Sequence, residues 1–280
     1  MSFSTTTGRI TGTPTVTQTA TTYTITATNT SGSTTATFTL TVVRTCANGG
    51  ECIVGNTGPG GGIVFYVSAT NFTSTGSDCN TTCKYFEAAP TDQSINIVWA
   101  TTAAFCYTNG QTVGPGISDC QRNSIYSGTG AAQVASRIAG QAIGMGMANT
   151  NQIYARVSNG GGAGGALTNT YAAGIAFAYE NNGKTDWHLP SRDELNQMCK
   201  WQRGQEWVSD ATLCNETGAV NSGPGATGFT GRAESLYWRS DENADFIAGL
   251  QDFQTGGRAD LAKDVAGRFV RPARAFGPTG

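Results

Sequence analysis

The chain has 280 residues, enough for one or two domains, and its charged residues make up 13%, well below the usual level of about a quarter. A formal net charge of −2 supplies no overall field for nucleic acid, so none is expected as a partner. No apolar run approaches the roughly 18 residues a membrane-crossing helix needs, so membrane insertion is not expected either.

Residues 1–45 carry 20 threonines. The opening MSFSTTTGRITGT has neither a charged n-region nor an apolar h-region and does not read as a secretory signal. In TPTVTQTATTYTITATNTSGSTTATFTLTVV, Thr alternates with Val, Tyr, Ile, Ala, Phe and Leu. That period of two predicts strands with one buried face, and TSGS predicts the turn of a hairpin. The regular placement of Tyr23, Ile25, Phe38, Leu40 and Val42 favours strands over a disordered Thr-rich stalk. The stretch resembles the second half of a bacterial Ig-like domain, on residues 7–10, 11–15 and 38–42. The resemblance implies a partial all-β Ig-like unit over residues 1–45, about three strands, and a chain cut from a longer surface protein.

Eight cysteines follow as four close pairs, and short-range bridges 46–52, 79–83, 106–120 and 199–214 (Cys46, Cys52, Cys79, Cys83, Cys106, Cys120, Cys199 and Cys214) are the simplest of about 105 connectivities. Zinc would want CxxC knuckles or His partners; there is no CxxC and one His. Bridges place the chain outside the cytosol, on a cell or virion surface.

Residues 46–61, CANGGECIVGNTGPGG, read as a glycine-rich link. GGIVFYVSAT predicts a buried strand, CKYFEAAP a short strand stopped by Pro90, and INIVWATT a third. GAAQVASRIAGQAIGMG has helix formers weakened by Gly140 and Gly144, and NTNQIYARV continues as helix. NGGGAGGA is a loop and no phosphate cradle, since no Lys-Ser/Thr follows it. In NTYAAGIAFAYENNG, Tyr171, Ile175 and Tyr179 share a helix face, with Asn182-Gly183 as the stop.

TDWHLPSRDELNQM holds the lone histidine among residue types common in hydrolases: Asp186, His188, Ser191, Asp193 and Glu194. Pro190 pushes the residue before it into extended geometry, and Ser191 with Glu194 forms the S-x-x-E capping box of a helix running toward Trp201. Ser191 and Glu194 are then committed to backbone groups, and the cluster predicts a helix start in place of a triad.

GNTGPGGGIVFYVSA, CKYFEAAPTD, GKTDWHLPSRDELNQM, YWRSDE and RFVRPARAF occur in that order. Together they resemble the bacterial Lcl-type C-terminal domain family, a C-type-lectin-like group related in fold to formylglycine-generating enzyme. The resemblance spans about residues 55–276. It implies an α+β fold: a C-type-lectin-like mixed sheet with two main helices and long loops over residues 62–276, its first strand pairing near its last. The reactive cysteines of the enzyme have no counterpart, because the final 66 residues hold no cysteine. No HExxH, GxSxG or Walker sequence occurs. A binding protein with no catalytic residue, cofactor or metal is therefore expected. Neither sugar-coordinating tripeptide of the calcium-dependent lectins is present, and SDENAD at 240–245 reads as a solvated turn despite its oxygen ligands.

Recognition is expected between LYW at 236–238 and RFVRP at 268–272, on a surface loop mixing charge with apolar residues. The candidate ligand-binding residues are Arg239, Asp241, Asn243, Asp245, Ile247, Asp252, Arg258, Asp260, Leu261 and Asp264. The ligand expected is a protein or glycan on another cell or surface. A further resemblance is to retroelement-diversified variable proteins, whose C-type-lectin-like domains end in a variable segment. Mutagenesis at the adenines of Asn and Tyr codons never yields Lys, Glu, Gln, Met or Trp, and residues 239–267 contain only Glu242, Gln251, Gln254 and Lys263 from that set. Arg239 and GGRADLAKDVAG depart from the YWSS and Tyr/Asn-rich pattern of those proteins. A second reading is a decoration domain whose terminal loops touch identical neighbours; an enzyme is a distant third. Arg271 and Arg274 are expected as one ion pair and one solvated side chain, and Trp99, Trp187 and Trp238 as core.

Overall fold

The computed structural model describes residues 1–12, 14, 16–100, 105–108, 111–112, 130–158, 170–205, 212–218 and 236–278. Cys120 of the predicted 106–120 bridge and the NGGGAGGA loop lie outside them.

The threonine-rich stretch folds as expected for alternating residues. Strands β1 (Ser2–Phe3) and β2 (Ile10–Thr11) pair, and β3 (Gln18–Asn29) forms a long antiparallel hairpin with β4 (Gly32–Val42). The turn closes at the Asn29–Gly32 pair, where Gly32 takes a φ of 143°. Tyr23 faces Phe38 across the ladder with ring centroids 5.6 Å apart. Ile25, Phe38, Leu40 and Val42 are only half-buried and Tyr23 is exposed. The predicted apolar face is thus present but partly covered, as so few strands must leave it.

Further along come β5 (Ile63–Phe72), β6 (Cys83–Ala88), β7 (Ser94–Ile97), β8 (Phe105–Thr108), β9 (Gln111–Thr112), α1 (Gly130–Ala139), α2 (Gly146–Arg156), β10 (Val157–Ser158), α3 (Ala172–Ala178) and α4 (Arg192–Gln202). The last strands are β11 (Leu236–Ala244), β12 (Ile247–Asp252), β13 (Arg258–Ala262), β14 (Arg268–Val270) and β15 (Ala273–Phe276). A five-stranded sheet has the order β13-β12-β11-β14-β7 and is mixed, since β11 and β14 run parallel. A second sheet, β15-β6-β5, and a small β10-β8-β9 sheet accompany it. The described residues thus hold both helices and strands, with sheets predominating.

Three expectations change. Four helices, not two, stand among the described residues. The long Ala/Ile-rich helix stops at Ala139 because Gly144 is left-handed (φ 87°) and a side chain there would strike the Thr73 carbonyl. Asn182-Gly183 is not a helix stop: both residues have positive φ and Asn181 bridges Lys184, which is a type I′ hairpin turn, and α3 has already ended at Ala178. The early strand β5 does lie near the final strand β15, in one sheet with β6 between them.

Two main cores result. Phe65, Phe86, Leu195, Met198, Trp201, Tyr237 and Phe269 pack between the sheets and α4. Trp99, Ile153, Tyr171, Leu189, Trp238, Leu250 and Val270 pack on the opposite side of the large sheet, with α2 and α3. Trp99, Trp187 and Trp238 are all buried, and each indole donates to a backbone carbonyl. Bridges Cys46–Cys52, Cys79–Cys83 and Cys199–Cys214 are formed. The last closes a 15-residue separation and ties α4 to the chain beyond it, a constraint worth about 3 kcal/mol.

Candidate functional site

The conspicuous sequence motifs are internal struts. The amides of Gly60 and Gly62 donate to the Glu87 carboxylate, and a side chain on Gly58, Gly60 or Gly62 would collide with Glu87, Ala88 or Trp187. Glycine is required in GPGGG because backbone closes directly around that acid. Arg274 donates to Glu87 at 3.0 Å and to Asp186, and Asp78 lies 3.2 Å away. Burial raises the Glu87 pKa against the pull of Arg274 and the glycine amides. For Arg274 burial opposes the charge, and Asp186 and Glu87 more than offset it, leaving its pKa raised. Arg271 donates to Asp92 at 2.7 Å and to the Ala89 carbonyl at 2.8 Å. Neither arginine is solvated, contrary to expectation: the Pro272 crossing between β14 and β15 turns both inward.

The histidine stretch is a helix start. Ser191 is the N-cap of α4 with the full capping box, and its hydroxyl also donates to the Ala142 carbonyl at 2.7 Å. Glu194 accepts from the amides of Ser191, Gly144 and Gly146. Its second role was not foreseen: Oε2 lies 3.1 Å from His188 Nε2, both side chains being fully buried. His188 itself is pinned in extended chain by reciprocal backbone bonds with Ala273.

The expected recognition loop is a β-meander. β11, β12 and β13 run antiparallel, with bulges in β11 between Trp238 and Ala244. Strand alternation splits its side chains. Trp238, Ala248, Leu250 and Leu261 join the α2/α3 core. On the other face Arg239, Gly249 and Asp260 form a row across three strands. A side chain on Gly249 would overlap the Arg239 guanidinium, so the glycine is what lets Arg239 lie flat on β12. From there Arg239 reaches Asp241 at 3.4 Å and Asp260 at 3.6 Å.

Charge pairs tie this face to its neighbours. Arg258 approaches Asp193 at 3.5 Å, Arg192 is bonded to Asp193 and Gln141, and Gln141 donates to Asn243 at 3.2 Å. Arg137 of α1 pairs with Asp245, and Asn243 donates to Asp260. Asp241 is fully buried and neither carboxylate oxygen has a hydrogen-bond partner among the described residues. Burial raises its pKa despite Arg239 and Arg192. Burial lowers the pKa of Arg258. Glu242, one residue on, points to the opposite face and pairs with buried Lys263, whose ammonium also donates to the Asp245 carbonyl at 2.6 Å and lies 4.6 Å from the Trp99 ring centroid. Burial lowers the Lys263 pKa against the pull of Glu242. The alternation separates the carboxylates a calcium ion would need together. Among the described residues no group of three or more His, Cys, Asp or Glu is arranged to hold a metal.

The expected surface candidates therefore divide. Asn243, Asp245, Asp260 and Asp264 are exposed, and Ile247, Asp252, Arg258 and Leu261 are half-buried. Arg239 and Asp241, expected on a surface loop, are interior, because β11 is a central strand of the sheet. Asp252 is engaged in the β12–β13 turn, accepting from the Gln254 amide and the Thr255 hydroxyl at 2.8 Å each. Phe246, 55% exposed at the β11–β12 turn, belongs to the expected recognition segment but is not among its ligand-binding candidates, nor is the Lys263–Glu242 pair beneath it. The available signal was an aromatic inside a polar turn.

Residues 1–43 match the model of a family described as Putative Ig domain. No curated protein matches the chain. Three disulfides and the Ig-like match are consistent with an extracellular protein. Among the described residues no helix is long and apolar enough to cross a membrane.

Proposed function

We propose that the chain is the ligand-recognition end of an extracellular protein, in which a C-type-lectin-like frame presents the β11–β13 meander to a protein or glycan on another surface. The observation that carries this reading is the anchoring of Phe246. Its ring is solvent-exposed, yet its carbonyl accepts from the Lys263 amide at 3.1 Å and its neighbour Asp245 is bound by the Lys263 ammonium. An exposed phenylalanine on a pre-ordered turn, flanked by Asp245 and Asp264, is a residue type enriched at binding interfaces, and ordering it in advance lowers the entropic cost of binding.

Diversification by a retroelement fits the same division. Of the four residues that adenine mutagenesis cannot write into Asn or Tyr codons, Glu242, Gln251 and Lys263 are fully buried in the frame, and Gln254 alone is exposed. The exposed positions otherwise carry residues such mutagenesis can produce.

An array of glycans and cell-surface proteins tests the binding reading. The wild-type chain is expected to bind selectively, and Asp245→Ala/Phe246→Ala/Asp264→Ala to lose that signal while melting as the wild type does. Undiminished binding by the triple variant would remove the meander from the site.

A further inference from the structure

The large sheet ends at β13, which has no neighbour on its outer side among the described residues. Its sequence, Arg258-Ala259-Asp260-Leu261-Ala262, contains no Pro or Lys, and its register with β12 is unbroken by any bulge, so of the devices that blunt an edge it has only short length and two charges of opposite sign. The ladder fixes which backbone groups are free. The Lys263 amide donates to Phe246 and the Asp252 amide to Gly257, so residues 259 and 261 between them point their N–H and C=O toward β12, while the Lys263 carbonyl turns away to accept from the amides of Trp99 and Ala100. Arg258 and Asp260 therefore aim theirs outward, whereas the Ala262 carbonyl is taken by the Val265 amide at 3.2 Å.

We propose that β13 is a self-pairing edge, through which two copies of this chain join their large sheets antiparallel about a two-fold axis at Ala259. In that register Arg258 of one copy lies opposite Asp260 of the other, and the symmetry repeats the pair. Both residues offer outward backbone groups, so they exchange N–H and C=O bonds as a hydrogen-bonded pair. Their side chains share one sheet face, remain partly exposed at 26% and 47%, and carry opposite charges, a favourable cross-strand arrangement. Ala259 meets itself at the axis in a non-hydrogen-bonded position, where strands approach closest and a small side chain is needed. Registers shifted by one residue in either copy would mismatch the free backbone groups. Centring on Arg258 or on Asp260 would set like charges face to face. Of the three registers centred on 258, 259 and 260, charge favours the one at Ala259, and its self-complementarity points to a second copy as the occupant of this edge. The joined sheet would carry two meanders side by side, a bivalent surface for whatever the meander binds. The pairing stands on the ladder and does not depend on the ligand reading.

Sedimentation velocity on the purified chain, from about 1 to about 300 μM, reads the association expected of a small interface. The wild type is expected to move from monomer to dimer. Ala259→Arg, at an exposed position outside the ion pairs, is expected to stay monomeric. Arg258→Glu alone and Asp260→Arg alone each set like charges opposite, and each is expected to weaken association about tenfold or more. Mixing these two variants restores Glu–Arg and Asp–Arg pairs, so the mixture is expected to dimerise where neither does alone. A wild type that stays monomeric throughout, or an Ala259→Arg chain that dimerises as the wild type does, overturns the proposal. So does a mixture that fails to associate when circular dichroism shows both variants folded.

Discussion

Arg239 lies with its guanidinium over the backbone of Gly249 on the adjacent strand, and it reaches Asp260 on the strand beyond at 3.6 Å. One missing side chain thus lets a single cation span three strands of the meander. Gly249→Ala would force that cation off the sheet or bend the strand. Overpacking and loss of a buried pair together are expected to cost about 3 kcal/mol in denaturant unfolding. The cost should shrink to under about 1 kcal/mol in an Arg239→Ala background, because there the new methyl has room. Equal costs in both backgrounds would show that the glycine serves some other need.

Asp241 gives the fold a pH dependence of known sign. Its folded pKa is raised by burial, so its protonated form is favoured in the folded chain. Stability linked to it is fully present below the ordinary carboxylate range and is lost as pH rises through the folded value. Asp241→Asn removes that loss. The variant and the wild type should melt alike near pH 3, which is about one unit below the unperturbed Asp value, and the variant should melt higher at pH 7. A wild type that is the more stable at pH 7 would mean that the Arg239 pair outweighs the burial of the charge.

Local chemistry was legible in the sequence where it was self-contained. The S-x-x-E box, the TSGS turn and three of the short bridges depend on partners at most 15 positions away, and all appear as read. Partners supplied from far along the chain were not legible. Nothing near Arg274 announces Glu87, 187 positions away, and nothing near Lys263 announces Trp99. The C-terminal segment reads as an irregular loop because β11 is bulged and β12 and β13 are short. Its charged residues, Arg239, Asp241, Glu242 and Lys263, obscure the alternation by standing at buried positions. Such residues are tolerated inside only because each has an opposite charge within reach, which periodicity does not reveal.

The roots of the meander are fixed by buried charge, while its outer positions are free to change. A display library substituting every residue from 239 to 264, sorted by resistance to protease, measures that division directly. Arg239, Glu242, Gly249, Leu250, Gln251 and Lys263 are expected to reject most replacements, while Asn243, Asp245, Phe246, Ala259 and Asp264 accept nearly all. Free replacement at Arg239, Glu242 and Lys263, or rejection at Asn243, Phe246 and Asp264, would contradict it.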